Sequence, residues 1–189
     1  MHSFVDILRP ASSRLSTLFD ILAILAGSCF IALSAQIAIP LWFTPVPMSL
    51  QPLAILLIGA ILGSRKGALS VIAYITEGIL GLPVFAGGLS GIAYFIGPTG
   101  GYLIGFILTA FFTGYLLERG WKNHLLSTFA ALFLSCSLTL IAGAAYLAFF
   151  VGPIRALWLG ILPFLIGDLI KVVIATTLIR GGWRIYNQE

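Results

Sequence analysis

Charged side chains are scarce in this sequence. Asp, Glu, Lys and Arg make up 8% of its 189 residues against 60% apolar ones, and the mean hydropathy is +1.11. No soluble core can hide that much apolar surface, so the chain reads as an integral membrane protein. Histidine is nearly missing, with His2 and His124 alone, both in segments that the topology below puts in the cytoplasm. That excludes a Ser-His or His-metal constellation inside the membrane, and neither an enzyme nor a metal site is expected. Cys29 and Cys136 are the only cysteines. Both fall in predicted helices without ligand spacing and read as small apolar residues. The sequence lacks a G-x-x-x-x-G-K-[ST] phosphate loop and any hydrophilic domain, so ATP use would belong to another polypeptide. The net charge of +4 is not gathered in one patch, which excludes a nucleic-acid partner.

What is present is a series of apolar runs. Helices are predicted at about 17–39, 51–63, 66–80, 99–118, 125–151 and 156–179, which makes residues 1–189 one membrane-embedded, all-α unit of six transmembrane helices. The second and third are short and joined by a turn at "GSRKG", where Gly63, Arg65, Lys66 and Gly67 break the run. Such lengths suit a tilted or partly re-entrant pair.

The few cations carry topological information. Arg9, Arg14, Arg65, Lys66, Arg119, Lys122, Arg180 and Arg184 all fall in connections on one side, against Arg155 alone on the other. The positive-inside rule then places both termini in the cytoplasm. Two long connections lie on the outer face, after helices one and three. "PLWFTPVPMSLQP" at 40–52 holds four prolines and reads as a stiff, extended loop, while "GLPVFAGGLSGIAYFIGPTGG" at 81–101 is rich in glycine. Trp42, Phe43 and Tyr94 suit interfacial anchoring, but uncharged loops of this length in so short a chain fit better as a lid over a pocket.

Asp168 and Lys171 interrupt the last run, "FLIGDLIKVVIATTLI". A helix from 156 to 179 would be about 36 Å long and put Asp168 about 18 Å from its outer end, near mid-membrane. Their i, i+3 spacing gives both side chains one helix face. Each charge costs about 2.5–3.5 kcal/mol near the bilayer centre, and mutual attraction returns about 4 kcal/mol at an effective dielectric of 20. Further polar partners are therefore expected. One source is groups on helices four and five, such as Thr109 and Tyr146. The other is a ligand with adjacent N–H donors and a carbonyl, as in a cyclic urea. Glu77 is a further intramembrane charge, read as capping its helix end in water or as reaching the pocket.

Five ordered motifs carry a resemblance. "PVPMSLQ" (45–51), "LGSRKGALS" (62–70), "GLPVFAGG" (81–88), "GPTGGYLIGF" (97–106) and "IGDLIK" (166–171) resemble, in order and spacing, the biotin-specific S components of energy-coupling-factor (ECF) transporters, the BioY family. The resemblance implies high-affinity biotin capture and uptake at the cytoplasmic membrane, with a transmembrane coupling subunit and two cytoplasmic ATPases as partners. Biotin enters as transported substrate, and no cofactor is implied. The last-helix motif puts Asp168 and Lys171 on the ureido ring. Gln51 and Tyr102 occupy matching motif positions, and Phe43, Phe85, Gly88, Leu89, Ser90, Thr99, Gly100 and Gly101 fall in the loops and helix start that surround the expected pocket. A helix-one pattern of small residues, Ala23 with Gly27 and Ser28 with Ala32, would meet the coupling subunit or serve ordinary packing. The sequence departs from some relatives, with Leu89 and Leu103 where those carry Asn and Arg. The carboxylate is then left to the start of helix four at "GPTGG" or to Arg155, and Ser90 replaces part of the missing amide. A self-sufficient, gradient-driven carrier for biotin or another small vitamin is the alternative, although the inverted repeat of many such carriers is missing.

Overall fold

The computed structural model describes residues 13–186, with side chains from 15 to 183. Arg9 and the side chains of Arg14 and Arg184, used above for topology, lie outside the described residues. The elements are α1 (Ser13–Gln36), β1 (Ala38–Ile39), β2 (Met48–Ser49), α2 (Gln51–Ile79), a 3-10 turn (Ala86–Gly88), α3 (Ile92–Phe95), α4 (Gly100–Leu116), a π turn (Leu117–Trp121), α5 (Leu125–Val151), α6 (Pro153–Gly160) and α7 (Leu162–Tyr186). Among the described residues, five segments are long and apolar enough to cross a membrane, and their surfaces carry the large apolar side chains that lipid demands.

One of the five is folded on itself. Gly63 leaves helical geometry at φ 82°, ψ 178°, a region open to glycine and closed to other residues. The Gln51 side-chain amide consequently donates to the Tyr74 hydroxyl at 2.7 Å, whereas a straight helix would hold these residues about 34 Å apart. The arms 51–62 and 64–79 are thus two antiparallel helices, as expected from "GSRKG", and the bundle has six long helical segments plus the short α6.

Helix α1 shows how small residues set the packing. Leu18, Leu22, Leu25 and Leu33 point outward. Ala23 and Ala32 pack on the core shared with both arms of α2 and with α4, in which Ile31 and Ala35 are fully buried. A Cβ on Gly27 would lie 2.5 Å from the Ser70 hydroxyl, and buried Ser28 donates to Glu77 Oε1 at 2.8 Å. Gly27 and Ser28 are therefore turned into the bundle and close α1 against the 64–79 arm, whereas Ala23 and Ala32, read as meeting either a partner or the bundle, stay half-buried. Glu77, half-buried, turns one carboxylate oxygen inward to accept that hydrogen bond.

The two ends of the bundle differ. At the basic end, Glu118 accepts from the Ser64 amide (2.7 Å) and hydroxyl (2.9 Å), tying the hairpin turn to α4. Arg180 donates to the Lys122 and Asn123 carbonyls, Lys122 sits 3.6 Å over the Trp183 ring, and Lys66 pairs with Asp20 at 2.8 Å. The other end, here the loop end, carries residues 37–50 and 80–99. The first loop is not merely extended. It returns on itself through β1 and β2, paired antiparallel with Ala38 opposite Ser49 and Ile39 opposite Met48, which carries the chain back to the start of α2.

Candidate functional site

The last predicted helix is two helices, and this moves the charged pair. The chain bends at Ile161 (φ −118°, ψ −59°) between α6 and α7, where Gly160 and Pro163 in the sequence already weakened a continuous helix. The bend frees carbonyls at the end of α6. Thr44 Oγ1 donates to that of Leu159 at 2.9 Å and the Tyr102 hydroxyl to that of Gly160 at 2.7 Å. Asp168 consequently lies about 9 Å from the start of α7 rather than 18 Å from the helix end. Asp168 thus sits in the loop-end half of α7, while Lys171 is about 14 Å both from the start of α7 and from Arg180 at the basic end, level with Thr139 at the middle of α5.

Lys171 Nζ donates to Asp168 Oδ1 at 2.8 Å, and both residues are 6% exposed. Neither Thr109 nor Tyr146 helps. Thr109 hydrogen-bonds the Ser135 carbonyl and the Thr139 hydroxyl, and Tyr146 donates to the Ile96 carbonyl. The ammonium has three donors and the carboxylate about four lone-pair sites, of which their mutual bond uses one each. The pair can therefore hold, side by side, an N–H donor and a carbonyl acceptor of a third molecule.

Such a molecule has somewhere to sit. Asp168 and Lys171 line a narrow cavity of about 40 Å³ that opens to solvent. Its walls include Val46, Pro47, Pro52, Leu140 and Phe164, and its polar edge includes Ser49, Gln51, Thr99, Tyr102 and Thr139. The Gln51 side chain is fixed at both ends, accepting from Ser49 Oγ at 2.9 Å and donating to Tyr74. Pro47 and Tyr94 are shared with a second cavity of about 340 Å³ between the two loops, which Thr44, Pro45, Gly87 and Leu89 also line. Burial raises the Tyr94 phenol above its ordinary pKa, a Thr99 hydrogen bond pulling the other way.

The remaining expected residues separate. Gln51, Thr99 and Tyr102 line the first cavity, joined by Leu103, and Leu89 lines the second. Phe85 is fully buried, stacked on Tyr94 at 5.0 Å and edge-on to Tyr74 at 5.7 Å, so it supports the wall from behind. Gly88 faces the Gln36 side chain, and Gly100 and Gly101 let α4 approach Phe95 and Tyr146. Half-buried Ser90 and exposed Phe43, whose ring meets Trp42 edge-on, line neither cavity. Arg155 is exposed on α6 and also lines neither. The start of α4 is less open to an anion than its sequence suggests. The Gly100 amide donates to the Gly97 carbonyl, those of Tyr102 and Leu103 both donate to Thr99, and the Thr99 hydroxyl turns to the Tyr94 carbonyl. Ser49, Thr139, Leu140 and Phe164 escaped the sequence reading. Ser49 stood inside a quoted motif, whereas Thr139 and Leu140 carry no local signal and reach the cavity only because α5 packs on α4.

Comparison with known proteins gives one answer. The model of the BioY family matches residues 10–188. The "Biotin transporter BioY" of Rhizobium etli is 38% identical over 176 residues, covering 88% of this chain and 94% of that one. The "Biotin transporter BioY" of Thermotoga maritima is 41% identical over 154 residues, covering 80% and 88%, and the "Probable biotin transporter BioY" of Pyrococcus horikoshii is 40% identical over 152 residues, covering 79% and 88%. Among solved structures, the S-component for biotin from an ECF-type ABC transporter superposes with a TM-score of 0.82 at 29% identity, over 95% of this chain and 96% of that one.

Proposed function

From the premise that the chain belongs to the BioY family, we propose that it is a multi-pass membrane protein that captures biotin for uptake as the S component of an ECF-type transporter. The observation that carries this reading is the buried Asp168–Lys171 pair on the wall of a cavity at the loop end. The ureido ring of biotin offers N–H groups to Asp168 and a carbonyl to Lys171, completing the hydrogen bonds that the pair leaves open. Its fused apolar ring fits against Pro47, Leu140 and Phe164. Gln51, locked through Ser49 and Tyr74, keeps the polar edge in place without rearrangement on binding.

Arg65, Lys66, Arg119, Lys122 and Arg180 gather at the end opposite the cavities, which makes the loop end the outer face and the basic end cytoplasmic. A chain without a phosphate loop draws its energy from partners. A coupling subunit and two ATPases fill that role, and the self-sufficient carrier is the less favoured reading. The test is equilibrium binding of biotin to the detergent-purified chain, followed by uptake with and without active ATPases. Saturable binding and ATPase-dependent uptake are expected. A folded chain that does not bind biotin overturns the assignment.

A further inference from the structure

The two cavities at the loop end contain only two charged side chains between them, Asp168 and Lys171, and these are paired with each other. Everything else that lines them is neutral. Leu103, on the first turn of α4 and 3% exposed, presents only hydrocarbon to the first cavity. Leu89 does the same in the second, among prolines and small residues. Arg155 lines neither. The Gly100, Tyr102 and Leu103 amides at the start of α4 are already donating to backbone carbonyls, which leaves the Gly101 amide alone there rather than a convergent cradle for an anion.

Resting on the placement of the ureido head above, we propose that this chain recognises biotin by its ring system alone and leaves the tail carboxylate unread, so that uncharged tail derivatives, esters and amides, are ligands of equal standing. With the head on Asp168 and Lys171, the tail leaves between Pro47 and Tyr94, the two residues common to both cavities. Beyond them lies a cavity of about 340 Å³, open to solvent, in which a carboxylate stays hydrated. A carboxylate that keeps its water and meets no cation gains nothing over an ester or a primary amide. A charge-assisted hydrogen bond at this place would instead make its removal cost about 10- to 150-fold in affinity. The specificity determinant is thus an absence, since Lys171 is the one cation lining either cavity and Leu103 and Leu89 add only hydrocarbon.

The experiment is displacement of labelled biotin from the purified full chain in detergent by unlabelled biotin, biotin methyl ester and biotin primary amide, each repeated on Arg155→Gln. The expected result is that the three inhibition constants agree within about 10-fold, equivalent to 1.4 kcal/mol, and that Arg155→Gln leaves their ratios unchanged. An ester and an amide both more than 10-fold weaker than biotin overturn the proposal while leaving biotin capture intact. A selective loss of biotin affinity in Arg155→Gln does the same and identifies the missing cation. If biotin itself fails to bind, the functional reading falls and takes this inference with it.

Discussion

Replacing the buried pair one residue at a time and then together separates its two possible roles, holding the fold and holding the ligand. Lys171→Met leaves a carboxylate without its counterion at a residue 6% exposed, and Asp168→Asn leaves an equally buried ammonium. Removing one partner of a buried ion pair costs about 3–5 kcal/mol, whereas replacing both with neutral groups is often close to neutral. On the ligand side each charged hydrogen bond contributes about 1.5–3 kcal/mol. Losing two costs about 3–6 kcal/mol, roughly a hundredfold to ten-thousandfold in Kd. The assay is a biotin titration run beside thermal unfolding on the same detergent preparations. Both single variants should lose stability and binding. The Asp168→Asn, Lys171→Met double variant should recover most of the stability and still fail to bind. A double variant that binds biotin within about tenfold of the parent refutes the reasoning, because the pair would then be a structural bridge and nothing more.

Three further outcomes follow from the geometry. Gly114→Ala should lower stability by about 1–3 kcal/mol or more, since its Cβ would meet the backbone of Gly63 and Ser64 inside van der Waals contact; an unchanged unfolding temperature would contradict that packing. Glu118→Ala removes the acceptor of two Ser64 hydrogen bonds and should cost about 1–2 kcal/mol in thermal unfolding. Biotin affinity should stay within threefold, because Glu118 lies at the end away from the cavities. Tyr94 keeps its phenol proton in the folded chain above the ordinary pKa, so the native state holds a proton that the unfolded chain has released. Stability should therefore fall as pH rises past about 10. Unfolding curves across that range should fall less steeply for Tyr94→Phe, and identical slopes for both proteins would exclude the buried phenol as the cause.

How much of this was legible in the sequence depended on the range of the interactions involved. Apolar runs of membrane length, the break at Gly63 and the confinement of cations to alternate connections are local properties. The hairpin of α2, the exact extent of α5 (Leu125–Val151) and the shared face of Asp168 and Lys171 were accordingly readable in advance. That the pair would need polar partners was also readable, because two charges in an apolar run demand them wherever the run ends up.

Tertiary structure decided the rest. The bend at Ile161 is held by Thr44 and Tyr102, remote in the chain, which hydrogen-bond the carbonyls it frees, and it shortens the helix that carries the pair on its loop-end side. The small residues of α1 looked equally fit for a partner protein or for the bundle until Ser70 and Glu77 were found facing them. Thr139, Leu140 and Phe164 became walls of the cavity only when α4, α5 and α7 converged. Spacing along a helix dictates which face a residue occupies, but only the packing of distant segments dictates what that face meets.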